Sequence, residues 1–487
     1  MEATVIQRED TPSSEEFYFV HSGELSRGAF LEFENNGTVI SRISEVHRSN
    51  QYFDDPESVS EVSREQMSER FPVEDWEVSM GRAVIMGKFR NDKIERVDSS
   101  PSPGDQLRKA ETDRVRKFLG LEEGGIELGS VQQQDVGASL NMTDTLQKHF
   151  AILAQSGAGK SYTASVLLEE LLDADHSPSI LVVDPHGDYT CFAGDEGYMK
   201  DVRVFRDSEI QVAVNSLSAE KLQAYFDLTE PQRREVAKAF SELESGENSD
   251  YGLKELEKRI EEQEMDAKTR YVLLDKIREM KAMKLFGKTN SPSGKDIEPG
   301  KLNILDLSGM INRKKKQLIT AFFGRHFFRQ RRNGSIPPFL YLLEEAHNFA
   351  PESDGSTAVS KNVIEKMARE GRKFHASIGL ISQRPVRLST TALSQCNTKL
   401  IMRVTNPNDL EHIAQSSEGI TSDVKDQIPG LKTGEAIVMG EAVNHPTFID
   451  VRQRKSRESE SGKSLEEALE EWRNQEEQME EDVEAFM

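Results

Sequence analysis

The chain has 487 residues, 36% of them hydrophobic and 30% charged, with 85 acidic against 62 basic residues and a formal net charge of −23. That length makes two to three domains with ample buried core, and the composition is too apolar for a wholly disordered chain. No apolar run reaches the ~20 residues of a membrane span, MEATVIQRED lacks the basic and apolar segments of a signal peptide, and two cysteines, Cys191 and Cys396, exclude a disulfide scaffold or cysteine zinc cluster and fit a reducing cytoplasm.

Residues 1–97 read as a small β-barrel. FYFVHS, GAFLEFEN, TVISRISEVHR, DWEVSMGRAVIMGKF and KIERV are short and rich in Val, Ile and Phe, and Asn36-Gly37 between two of them is a hairpin signal. The acidic stretch DDPESVSEVSREQMSER reads as a mobile loop. Residues 98–139 read as a linker, opening on SSPSPGD and carrying a short charged helix from Gly104 to Leu119. From residue 140 to 215 the pattern becomes strand–helix–strand: HFAILAQ, a helix from Ser161 to Leu172, then SILVVD. Continuously apolar strands of this kind belong to a parallel sheet covered on both faces.

Residues 216–300 are charged and helical, an insertion in which Thr229-Glu230-Pro231-Gln232 forms a capping-box signature. The sheet resumes over 301–455 with LNILDLS, FLYLLEE, SIGLIS and KLIMRV, and GEAIVMG with TFIDVRQ closes the core. Residues 456–487 form an acidic arm, with 12 carboxylates and two basic residues from Glu458 onward. Ser464-Leu465-Glu466-Glu467 repeats the capping box, and Leu465, Leu469, Trp472, Met479, Val483 and Phe486 make one apolar helical stripe. Such an arm either docks on its own domain or grips a neighbouring subunit. The fold class is therefore α/β, a P-loop core with an N-terminal barrel and a helical insertion.

The chemistry concentrates where strand meets helix. Ala154-Gln155-Ser156-Gly157-Ala158-Gly159-Lys160-Ser161 supplies small residues whose N–H groups can turn onto a phosphate. It adds a lysine for the β/γ-phosphates and a hydroxyl for Mg²⁺. The loop opens with Ala154 where glycine is usual, at a cost of about 1 kcal/mol if that position needs a positive φ. FLYLLEE ends in two carboxylates: Glu344 to hold Mg²⁺ through water and Glu345 to orient or deprotonate the attacking water. Gln383, at the end of the next apolar run, can sense a γ-phosphate. The basic run Arg369-Glu370-Gly371-Arg372-Lys373 either complements its helix dipole or supplies a cation to a neighbour's phosphate. His186 and His347 lack a second histidine at ligand spacing and read as packing or hydrogen-bonding residues, so no zinc is expected. Cys396 reads as a small buried residue.

AILAQSGAGKS, LVVDPHGDY, LLEEAHNFAP, AREGRKF, LISQRP and SQCNTKLIMRVTNPND follow one another in an order that resembles HerA-type ATPases of the FtsK–HerA branch of P-loop motors. The resemblance covers nearly the whole chain. It implies a RecA-like core with a HAS-barrel, and a homo-hexamer that hydrolyses ATP with Mg²⁺ and moves double-stranded DNA beside a NurA-like nuclease. By position it assigns Ser156, Gly157, Ala158, Gly159, Lys160, Ser161 and Tyr162 to nucleotide, and Ser161 and Glu344 to Mg²⁺. Glu345, Gln383 and Arg372 become catalytic, Arg372 across subunits with Arg369 as the alternative; Asp184 and Arg403 also reach nucleotide. Asp184 has a second reading as a strand-end cap. The −23 charge argues against nucleic acid only as a mean field, since a basic channel can sit on an acidic body. It also suits a haloarchaeal relative adapted to concentrated salt. Arg313-Lys314-Lys315-Lys316 and Arg329, Arg331 and Arg332 are candidate DNA-phosphate contacts or a solvated face. The competing functions are a conjugation- or secretion-type motor and a nucleotide-gated defence scaffold.

Overall fold

The computed structural model describes residues 3–7, 12–50, 77–90, 93–245, 250–352, 358–417, 419–458 and the single positions 466, 469, 470, 472 and 473. The acidic loop at 54–70 and most of the C-terminal arm, with its capping box and four of the six stripe residues, lie outside them. The described chain divides into two compact units, 1–142 with 434–452, and 143–433 with 453 onward.

In the first unit the strands are Ala3–Ile6 (β1), Glu16–His21 (β2), Phe30–Glu34 (β3), Thr38–Asn50 (β4), Glu77–Arg90 (β5), Lys93–Glu95 (β6) and Gln106–Lys109 (β7). Their order is β2-β1-β7-β3-β4-β5-β6, and antiparallel pairing of β2 with β5 from Glu16–Val84 to His21–Ser79 closes six of them into a barrel. Closure leaves those six strands without a free edge. Alternation decides the interior: Val5, Phe17, Phe19, Leu31, Phe33, Val39, Ile43 and Leu107 point inward. Gly81 is required there, because a Cβ would stand 2.3 Å from the Phe19 ring.

Residues 98–139 are not a linker. They supply β7, which pairs with both β1 and β3, then the helix Thr112–Leu119 and the hairpin Ile126–Val131 (β8) with Gly137–Leu140 (β9). The helix expected from Gly104 begins only at Thr112, because β7 occupies the first half of that stretch.

The second unit carries Phe150–Leu153 (β10), Ser179–Asp184 (β11), Val202–Phe205 (β12), Val212–Ala213 (β13), Phe286–Gly287 (β14), Leu302–Asp306 (β15), Phe339–Leu343 (β16), Ala376–Ser382 (β17) and Thr398–Ile401 (β18). Its main sheet runs β12-β15-β11-β16-β17-β10-β18, every neighbour parallel. Every residue of β10, β11, β16, β17 and β18 is buried, which is why the sequence shows apolar runs rather than alternation. All strand C-termini therefore open on one edge, where α/β sheets bind ligands.

Between β13 and β14 stand four helices, Ala219–Phe226, Glu230–Ser245, Leu253–Glu262 and Ala267–Ala282. Gln232 accepts from the Thr229 N–H at 2.9 Å, the return half of the capping box read from the sequence. The last two strands, Glu435–Gly440 (β19) and Thr447–Val451 (β20), fall in the first unit rather than closing the core, with β20 paired to β8.

Candidate nucleotide-binding site

The loop after β10 hangs from two neighbouring strand ends. The Ala154 N–H donates to the Ser382 carbonyl at 3.2 Å and the Gln155 N–H to the Arg403 carbonyl at 2.9 Å. Ala154 is not among the residues with positive φ, so the penalty feared at that position does not arise; it is fully buried instead. The left-handed positions are Gly157 at φ 76° and Gly159 at φ 97°, where glycine alone is unstrained. They turn the chain into the helix Lys160–Asp173.

Lys160 lies 9% exposed. Its ammonium donates to Glu344 and sits 3.6 Å from Glu345. Burial pulls its proton affinity below the usual lysine range, and Glu345, Asp188 and Asp184 oppose that pull. Glu344 is fully buried, with its other oxygen accepting from the Tyr189 hydroxyl at 2.6 Å. The Ser161 hydroxyl donates to Asp188 at 2.9 Å.

Asp184 is spent on its own turn. Its carboxylate accepts from the N–H groups of His186, Gly187, Asp188 and Tyr189 at 2.8–3.2 Å. This is the geometry of a strand-end cap. The carboxylate that reaches the P-loop hydroxyl is Asp188, which sequence reasoning missed. The signal was present as the second acid of DPHGDY.

Glu345 follows β16 in a left-handed conformation, φ 51° and ψ 46°. A non-glycine residue pays roughly 1–2 kcal/mol for this. The turn sends successive carboxylates to different surroundings, Glu344 inward and Glu345 to the cavity. His347 Nδ1 is 3.2 Å from Glu345 Oε2 and 3.1 Å from the Ser382 hydroxyl. Burial first, then Arg384, Arg387, Lys160 and Arg313, push the imidazole down to about 4, so it is neutral at physiological pH. This is the hydrogen-bonding role read for His347.

A cavity of about 320 Å³ is lined by Gln155, Ser156, Gly157, Gly159, Lys160, Ser161, Tyr162, Asp188, Glu345 and Gln383. Ala158 is buried behind it. The Tyr162 hydroxyl accepts from the Arg454 N–H at 2.8 Å. Arg403 holds the loop through its carbonyl, and its Nε is buried without a partner.

Arg369 and Arg372 are not brought to this cavity. Arg369 lies in the helix Lys361–Glu370 and Arg372 in the 3₁₀ turn Gly371–Phe374 that precedes β17. Gln383 leaves the other end of β17. Seven residues separate the ends by about 20 Å.

The candidate DNA contacts mostly serve the fold. Lys314 pairs with Glu279 at 2.8 Å, Lys315 with Asp207, and Lys316 donates to the Pro185 carbonyl at 3.2 Å. Arg331 donates to the carbonyls of Phe374 and Ile336, and Arg332 lies over the Phe374 ring. Arg313 and Arg329 have no carboxylate partner among the described residues. Cys396 is buried, its thiol pushed up to about 12 by desolvation, as a packing residue rather than a nucleophile.

Residues 126–327 match the family described as Helicase HerA, central domain. A DNA double-strand break repair helicase HerA from Pyrococcus furiosus is 25% identical over 94% of this chain and 93% of its own. Over most of its length the chain is similar to HerA helicases. VirB4 of Thermoanaerobacter pseudethanolicus, at TM-score 0.55 and 16% identity, covers 69% of this chain and 98% of its own. Plasmid coupling protein TrwB, described in complex with ADP and Mg²⁺, aligns at TM-score 0.50 and 13% identity over 72% of the chain and 94% of its own. Both likenesses are of fold, a P-loop NTPase core. No helix among the described residues is long and apolar enough to cross a membrane.

The donors present suit Mg²⁺ shared with a substrate. No group of three or more His, Cys, Asp or Glu side chains fit to hold a metal alone occurs among the described residues. Ser161 and Asp188 offer hard oxygens beside the lysine, and Mg²⁺ takes the rest of its shell from phosphates and water.

Proposed function

We propose that this chain is an ATPase that assembles as a homo-hexamer and moves along double-stranded DNA. In this reading it works with a NurA-like nuclease in end resection and recombinational repair. One observation carries the ATPase reading: Lys160, Ser161, Glu345 and Gln383 meet on one cavity at the C-terminal edge of a parallel sheet. The DNA role is supported by relatives named as DNA double-strand break repair helicases.

The residues divide the work. Backbone N–H groups of Ser156 to Lys160 hold the β-phosphate. Lys160 exchanges its bond to Glu344 for the β- and γ-phosphates. Ser161 and Asp188 would hold Mg²⁺, with Glu344 behind them, and the ion would supply charge neutralisation at the phosphates. Glu345, whose Oε2 has no hydrogen-bond partner among the described residues, accepts the proton of the attacking water. Gln383 senses the γ-phosphate. Arg372, on the far edge of its own sheet, serves a neighbouring subunit, because a fixed cation is needed where charge develops.

The test is ATP turnover with and without linear double-stranded DNA, across a salt titration, for wild type and Glu345→Gln. Counterion release weakens DNA binding steeply with salt. Acceleration by DNA that Glu345→Gln abolishes supports the motor. Turnover indifferent to DNA at every salt concentration removes the DNA role and leaves the ATPase.

A further inference from the structure

A second cavity, of about 440 Å³, shares two walls with the nucleotide cavity. Glu345 and Gln383 line both, and the second is otherwise lined by His186, Arg313, His347, Asn348, Pro351, Glu352, Arg384 and Arg387. Those two shared side chains are the ones assigned above to the attacking water and the γ-phosphate. The second cavity therefore adjoins the place where cleaved phosphate is released.

Its charge is out of balance. Arg313, Arg384 and Arg387 form no ion pair among the described residues, in a chain of net charge −23. Two carboxylates stand on the same walls. Glu345 lies 3.6 Å from Lys160, and Glu352 accepts from the Thr390 N–H at 2.6 Å. The arginines are also aimed. Arg384, at the N-cap of the 3₁₀ turn Pro385–Arg387, and Arg387, at its end, both line the cavity. Arg313, the third, opens the helix Arg313–Arg332. The neutral state of His347 records the field: the same three arginines are among the charges that lower its proton affinity.

We propose that this arginine-lined cavity is an oxyanion site that takes orthophosphate from the nucleotide cavity after cleavage, so that phosphate leaves past Gln383 and Arg387 while ADP stays on the P-loop. The proposal rests on the ATPase reading and deepens it. Guanidinium forks suit a tetrahedral oxyanion, and three of them from two elements form a site that a single surface arginine does not. Glu345 and Glu352 on the same walls oppose a permanent hold, which suits a product in transit.

The experiment is single-turnover ATP hydrolysis by the full chain, with cleavage followed by acid quench and release by a fluorescent sensor of inorganic phosphate. The double variant Arg384→Ala/Arg387→Ala is compared with Arg384→Lys/Arg387→Lys. The ratio of release rate to cleavage rate falls about tenfold in the alanine pair, the loss expected for charge-assisted contacts, and recovers in the lysine pair. Release in step with cleavage in the alanine pair overturns the proposal alone. An equal lag in the lysine pair also overturns it, since the cause would then be shape and not charge. Absence of ATP cleavage by the wild type overturns the ATPase reading with it.

Discussion

The two edges of the core sheet are chemically opposite. At the C-terminal edge Lys160, Ser161, Asp188, Glu344, Glu345 and Gln383 are drawn together, mostly buried and mutually bonded. At the N-terminal edge Arg369 and Arg372 stand exposed, and Arg369 has only a 3.8 Å contact with Glu365. One edge holds the lysine, hydroxyl and carboxylates that the proposed ATPase would use, with Arg384 and Arg387 beside them. The other holds exposed arginines away from that cavity. In the proposed hexamer the arginine edge of one chain would serve the cavity edge of the next.

The sharpest way to break this comparison is Arg372→Ala. A cation acting across subunits is worth about 10³-fold or more in turnover, with nucleotide binding kept. Mixing Arg372→Ala chains with Glu345→Gln chains then restores part of the turnover, because some interfaces regain both residues. A mixture that stays as dead as its components returns Arg372 to a helix-dipole role. Next in size is Glu345→Gln alone, expected to lower turnover about 10²–10⁴-fold while equilibrium nucleotide binding persists. Loss of binding instead would make Glu345 a structural partner of Lys160.

Smaller effects test what supports each edge. Tyr189→Phe removes the hydroxyl that holds Glu344 and costs about 2 kcal/mol of stability, read by denaturant unfolding; no change would mean that Lys160 alone secures that carboxylate. On the far edge His149 is a clip: its Nδ1 accepts from the Ile378 N–H and its Nε2–H donates to the Ala368 carbonyl, both at 3.0 Å. Burial lowers it to about 4. The unfolded chain therefore binds this proton first. Stability falls as pH drops from about 6.5 towards 4, and is unaffected by this group above that window. His326 and His347, also lowered to about 4, add to the same slope. His149→Gln reduces the slope, measured as the unfolding midpoint against pH; an unchanged slope assigns it to other groups.

What could be read from the sequence follows the range of the interactions involved. The P-loop is local chemistry, in which two positive-φ glycines, a lysine and a hydroxyl sit within five residues. The buried strands are visible because burial on both faces removes polar alternation. β7 is not, because Leu107 is its single inward side chain among Gln106, Arg108 and Lys109. Barrel closure between β2 and β5 is equally silent, since it depends on pairing between residues 58 to 68 apart in the chain. Within the site, Asp184 and Asp188 lie four residues apart and carry the same carboxylate. Only the folded turn decides that the first binds backbone and the second reaches Ser161. Ala154 misled for the reverse reason: a consensus glycine suggested a backbone requirement that this loop does not have.

The cap at Asp184 also has a kinetic signature. Four consecutive amides, His186 to Tyr189, are held by one buried carboxylate although they lie outside any helix or strand. In hydrogen–deuterium exchange they will persist like sheet amides rather than loop amides, and will wash out together. The turn that presents Asp188 to Ser161 is thus a single cooperative opening unit, whose protection can be followed as a native label of whether the site is assembled.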